Sequence, residues 1–150
     1  MVSNKKRQTI CVGLLVLNIA FIWGNSLMPA QISSAISGFV RDLLAGLFEG
    51  GGQQEEQMGD GLLRKLAHFM EFTCLGMLSC WYIGMQVRKL FWIPLIPGIA
   101  VACIDELIQC FVPGRGPRIT DVGIDALGVL LGVMIIYFGS DFLLKRRMNK

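Results

Sequence analysis

Between Asp105 and Gly132 the sequence reads DELIQCFVPGRGPRITDVGIDALGVLLG, which sets four acids and two arginines inside a chain that is otherwise mostly apolar. No other stretch limits the fold as much. A side chain ionised at the centre of a bilayer costs roughly 2.5–3.5 kcal/mol even on the gentler insertion scales, so such groups face a protein interior or a wet cavity. Asp105, Glu106, Asp121 and Asp125 are therefore candidate site residues on physical grounds alone.

The surroundings are membrane-like in composition. With 150 residues, 53% of them hydrophobic, and a mean hydropathy of +0.57, the chain is too apolar for an ordinary soluble domain and too short for two large ones. One membrane-embedded, all-α domain over residues 1–150 is expected. The net charge of +3 sits mostly in short clusters beside apolar segments, where it reports topology, and no nucleic-acid partner is implied. Five cysteines (Cys11, Cys74, Cys80, Cys103 and Cys110) show neither a CxxC pair nor a Cys/His metal spacing, and read as small buried hydrophobes, with Cys110 toward the outer surface.

Four transmembrane helices are predicted, at about 10–28, 62–86, 90–111 and 121–144, each near the roughly 20 residues that cross a hydrocarbon core. The first competes with a signal peptide, but Met28 and Pro29 stand where a small-residue cleavage site belongs, so a retained helix is preferred. In the third, Pro94, Pro97 and Gly98 predict a kink. Between the first two spans, Ile36, Phe39, Val40, Leu43, Leu44, Leu47 and Phe48 recur at helical spacing, giving a short amphipathic helix at about 35–49 on the outer face, as packing or, less favoured, as a lid. Residues 50–61, GGGQQEEQMGDG, predict a flexible acidic loop.

The clusters Lys5/Lys6/Arg7, Arg88/Lys89 and Lys145/Arg146/Arg147/Lys150 alternate with the spans, so the positive-inside rule puts both termini in the cytoplasm and gathers the intramembrane charges at the outer face. Lys65, His68 and Glu71 share an arc of about 120° on the second span. Asp105 and Gln109 lie one turn apart on the third. Asp121, Asp125, Gly128 and Gly132 form one stripe on the fourth, where Gly128-x-x-x-Gly132 admits a close helix neighbour beneath the acids. Asn25 and Ser26, near the outer end of the first span, are positioned to join them.

These residues resemble the VanZ-like family, small integral membrane proteins named after a protein linked to teicoplanin resistance. The similarity is carried by Lys65-x-x-His68-Phe69, Asp105-Glu106-x-x-Gln109-x-Phe111, Pro113-Gly114-Arg115, and the pattern Asp121, Asp125, Gly128, Gly132, and covers roughly Trp23 to Gly132. Asp125 departs from it, since the family's pattern has Asn there. The resemblance implies a role in the cell envelope, at the cytoplasmic membrane, without supplying a mechanism.

For chemistry, the candidate catalytic set is His68, Glu71, Asp105, Glu106 and Asp121, with His68 as a general base oriented by a carboxylate. Lys65, Gln109, Arg115, Arg118 and Asp125 are the candidate substrate-binding residues, Arg115 foremost, because a guanidinium in a Pro-Gly turn grips phosphate or carboxylate bidentately. A divalent cation is a candidate cofactor, with Asp105, Glu106, Asp121 and Asp125 as its ligands. The plainer readings are a packing histidine, acids paired to Arg115 and Arg118, and snorkelling cations. Trp23, Trp81, Trp92 and Tyr137 read as interface or packing residues. Two functions follow. One is an outer-leaflet hydrolase or transferase acting on an anionic amphiphile, such as a lipid-linked phosphate or glycan; the other is a non-catalytic binder, in contact with membrane lipid, that limits access of a teicoplanin-type lipoglycopeptide to the envelope. Substrate, metal dependence and oligomeric state are open at this level.

Overall fold

The structure, a computed structural model, describes residues 4–47, 56–84 and 91–148. Within them the chain forms five α-helices and no strand: α1 Asn4–Ser26, α2 Ala30–Leu47, α3 Glu56–Gly84, α4 Leu95–Gln109 and α5 Ile119–Met148. The all-α expectation holds.

Two helices, α1 and the Ile119–Ser140 part of α5, are long and apolar enough to cross a membrane. The expected four are thus two by this measure. The reasons differ for the others: α3 carries Arg64, Lys65, His68 and Glu71 around its middle, and α4, at 15 residues, rises only about 22 Å. Several limits also move. The amphipathic helix starts at Ala30 rather than near residue 35, directly after Pro29, and α3 begins at Glu56, inside the segment expected to be loop. Residues 48–55 and 85–90, which hold the rest of that loop and the Arg88/Lys89 cluster, lie outside the described residues.

The prolines near α4 start it instead of kinking it. Pro94 is the N-cap, and Pro97 falls in the first turn, where backbone N–H groups have no intrahelical acceptor and a missing one is harmless. Residues 91–94 form the turn leading in, with Leu95 N–H donating to the Trp92 carbonyl at 3.1 Å.

Packing centres on α3 against α5, the most extensive helix pair. Three glycines permit it. A Cβ at Gly128 would sit 2.6 Å from the Phe69 carbonyl oxygen, one at Gly132 would collide with the Thr73 carbonyl, and one at Gly76 with that of Val129. The seam is backbone against backbone, as the glycine spacing predicted. Around it, Ile22, Phe72, Leu75, Val101, Ala102, Val129 and Val133 form a buried core to which α1, α3, α4 and α5 all contribute.

Polarity is arranged in the reverse of a water-soluble bundle. Asp105, Asp125, Glu106, Gln109, Ser26 and Ser79 are buried, while Val16, Leu17, Phe21, Ile96, Leu107, Leu127 and Phe138 are exposed. Exposed apolar surface on this scale marks contact with lipid or a partner. On α2, Ile32, Ile36, Phe39 and Leu43 also lie open, so its apolar stripe is not packed into the bundle as the favoured reading had it. Of the cysteines, Cys11 and Cys80 are buried as expected, whereas Cys74, Cys103 and Cys110 are exposed; all five are free thiols.

The seam generates a paired expectation. Gly132→Ala forces the Thr73 backbone to move and should lower stability by about 1–3 kcal/mol. Gly123→Ala, also in α5 but with nothing within 4 Å of the added methyl, should gain about 0.5–1 kcal/mol from helix propensity. Unfolding in detergent micelles, followed by far-UV circular dichroism, checks both signs.

Candidate functional site

One end of the bundle collects the polar residues of four helices: the end of α1, the middle of α3, the end of α4 and the start of α5. At its centre is Asp105, fully buried. The Ser26 hydroxyl donates to Asp105 Oδ2 at 2.7 Å and the Gln109 amide donates to the same oxygen at 2.9 Å. That amide also reaches the Ser26 hydroxyl at 3.4 Å. The one-turn spacing of Asp105 and Gln109 on α4 places both groups where α1 ends.

Beside this cluster stands His68, whose Nδ1 lies 3.9 Å from Asp105 Oδ2 and 4.0 Å from Glu71 Oε2. Its ring stacks near that of Phe72, with centroids 6.5 Å apart. Glu71 is held in turn by Asn25, whose amide donates to Oε1 at 2.6 Å. The two polar residues at the end of α1 thus each steady one carboxylate, joining the charges as their position suggested. Asp125, 2% exposed, approaches from α5. His68, Asp105 and Asp125 each offer one donor atom within 4.8 Å of the others.

The remaining acids have other partners. Asp121 Oδ1 pairs with Lys65 Nζ at 3.4 Å, and Glu106 Oε2 accepts the backbone N–H of Arg118 at 2.8 Å. This divides the expected four-carboxylate metal set: Asp105 and Asp125 converge with His68, whereas Glu106 fastens the loop before α5 and Asp121 answers a lysine. The plainer expectation for the arginines also changes. Among the described residues, no carboxylate lies within ion-pair distance of Arg115 or Arg118, and Glu106 takes the peptide N–H of Arg118, leaving its guanidinium out of the contact.

Arg115 occupies the turn PGRG, where Gly114 has φ +76°, a backbone conformation that side chains with a Cβ rarely adopt. Arg115 N–H donates to the Val112 carbonyl at 3.1 Å, and the neighbouring Pro113 carbonyl accepts Ala30 N–H of α2 at 3.4 Å. The turn is therefore fixed on two sides. The guanidinium Nε is buried and has no hydrogen-bond partner. Burial, with the charge of Arg64 nearby, lowers its pKa from the ordinary value, but an arginine keeps its proton in proteins.

A cleft with about 70 Å³ of accessible space runs over these groups. Arg64, Lys65, Arg115 and Arg118 supply cations to its lining, and His68, Glu106, Gln109, Asp121 and Asp125 supply most of the remaining polar groups. A second cleft, with about 100 Å³ of accessible space, shares Arg64, His68 and Arg115 with the first and is walled by Met28, just before α2, and by Ser33, Ile36 and Ser37 near its start. Eight of the ten expected site residues line the first cleft, Asp105 lies behind it bonded to Gln109, and Glu71 borders the second. Arg64 lines both and was not anticipated. Its signal was present: it stands one turn before His68, and residues four apart share a helix face.

The charge pattern, the PGR turn and the inside-out polarity agree with what the motifs implied. No curated protein and no solved structure matches the chain. A family does: over residues 11–143 the sequence fits the family described as VanZ/LLP1, and the chain belongs to that family.

Proposed function

We propose that this protein crosses the membrane four times, with both termini inside, and holds the anionic head group of an amphiphile in the cleft at its outer face. The helix order supports this topology. Hydrogen bonds join the end of α1 to the end of α4 and to the middle of α3, which brings their polar residues to one level. Lys5, Lys6 and Arg7 at the other end of α1, and the basic end of α5, then share the opposite side. The short α4 presents Ile96, Ile99, Ile104 and Leu107 outward, and Phe111 just after it is exposed too, as lipid contact requires.

The observation that carries the reading is Arg115, a guanidinium without an acid partner, fixed in a rigid turn and facing a cleft with three further cations. Bidentate grip on phosphate or carboxylate is the strongest use of such a group. The shape suits an amphiphile. A phosphate-sized head group suits the polar cleft, and the second cleft, walled partly by Met28 and by Ile36 of α2, offers an apolar path for the attached chain. A lipid-linked phosphate or glycan of the cell envelope is the substrate class, and a teicoplanin-type lipoglycopeptide is an amphiphile of related build, which connects the site to the resistance role implied by the family resemblance.

His68 between Glu71 and Asp105 supplies the acid–base element of an enzyme of the hydrolase or transferase class. The competing reading, a binder without turnover, uses the same cleft but needs no proton transfer.

Native mass spectrometry of the purified protein should show a retained phospholipid or polyprenyl phosphate that is lost in Arg115→Ala, with at least about a tenfold drop expected from one charge-assisted contact of about 1.5–3 kcal/mol. Equal retention in both proteins contradicts the head-group site. In vesicles supplied with a polyprenyl pyrophosphate, release of inorganic phosphate should fall by about 10²-fold or more in His68→Ala, the range of acid–base catalysis, while lipid retention persists. Retention without any release by the wild type would select the non-catalytic reading.

A further inference from the structure

The three groups meeting beneath the cleft make an unusual set. Asp105 is fully buried and Asp125 is 2% exposed, yet no lysine or arginine among the described residues lies within ion-pair distance of either. Two buried carboxylates this close repel unless a cation or a proton stands between them. Each also has an oxygen, Asp105 Oδ1 and Asp125 Oδ2, that is buried and without a hydrogen-bond partner. Orphaned buried acceptors are rare enough to need an explanation.

We propose that His68, Asp105 and Asp125 form a divalent metal site, of the kind that takes Mn²⁺ or Zn²⁺. One imidazole and two carboxylates are a donor set of borderline hardness, suited to such ions. Ligand atoms held at about 2.1 Å from one ion stand roughly 3–4 Å apart, and donors already within 4.8 Å of one another reach that spacing by small side-chain rotations. The support around the donors is in place. Ser26 and Gln109 both donate to Asp105 Oδ2, fixing that carboxylate and leaving Oδ1 unengaged. Glu71, itself fixed by Asn25, lies 4.0 Å from His68 Nδ1 and adds negative charge beside the donors. Glu106 and Asp121 are engaged elsewhere and do not compete. Since His68 and Asp125 line the cleft while Asp105 lies behind them, the ion's open positions face the space bordered by Arg64 and Arg115.

The site does not rest on the head-group reading, it gives His68 a metal-ligand role in place of the acid–base one, and its test needs no substrate. The full chain, purified in detergent and stripped with chelator, is titrated with MnCl₂ or ZnCl₂ alone; bound metal is measured by elemental analysis and Mn²⁺ by electron paramagnetic resonance. One ion per chain is expected for the wild type. Asp125→Asn and His68→Gln should weaken binding by at least about 100-fold, above the loss typical of removing an outer partner, and Arg115→Ala should keep the ion even though it loses its lipid. Because Asp105 ties three helices together, Asp105→Asn is avoided, and the wild-type titration decides without it. Absence of a stoichiometric ion in the wild type, or wild-type affinity in both variants, overturns the site. Metal binding with no lipid retained would defeat the head-group reading alone.

Discussion

Burial of the Asp105 carboxylate is the constraint on which the rest depends. A charged group of this kind is tolerated in a low-dielectric interior only with donors on hand, and partial satisfaction is worse than none. Its donors come from α1 and α4, its neighbouring imidazole from α3, and its opposing carboxylate from α5. Four helices must arrive at one level for this group to be accommodated, and that requirement sets the depth of the whole cleft.

The same requirement separates the charges by task. Two acids have local partners: Glu106 accepts a peptide N–H through one oxygen, and Asp121 is paired with a lysine. Those left over face each other across the histidine. The cations come from two places, Arg64 and Lys65 on α3 and Arg115 and Arg118 in and after the turn whose conformation is set by Gly114. Apart from the Lys65–Asp121 pair, opposite signs are held a short distance apart without ion pairs among the described residues, and a ligand carrying both a negative group and a coordinating oxygen would engage each separately.

Much of this was legible in the sequence. The helical class, the polar end of the bundle, the glycine seam beneath Asp125 and the involvement of Asn25 and Ser26 all follow from spacing along single helices, because a helix fixes which residues share a face. Contacts between helices were less accessible. Spacing could not show that Glu106 would take a backbone N–H from the loop ahead of α5, or that Arg115 would lack an acid, since both depend on how a turn folds back. The α4 prolines misled for a related reason: the same residue kinks a helix or starts it, depending on where the helix begins. Arg64 was missed although its spacing to His68 was informative, because charge beside a loop reads first as a solvated end.

The backbone seam between α3 and α5 has a further consequence. Where side chains separate two helices, either can rotate by repacking them, but at Gly76, Gly128 and Gly132 one main chain rests on another. Rotational phase is then locked. His68 lies one residue before Phe69, and Asp125 three before Gly128, whose Cα faces the Phe69 carbonyl, so the angle between imidazole and carboxylate is set by the seam, independent of any bound species. A single inserted residue between Asp125 and Gly128 would turn the acid through about 100° and leave the seam itself unchanged. The glycines act as the indexing pin of the site, holding its geometry from one turn below.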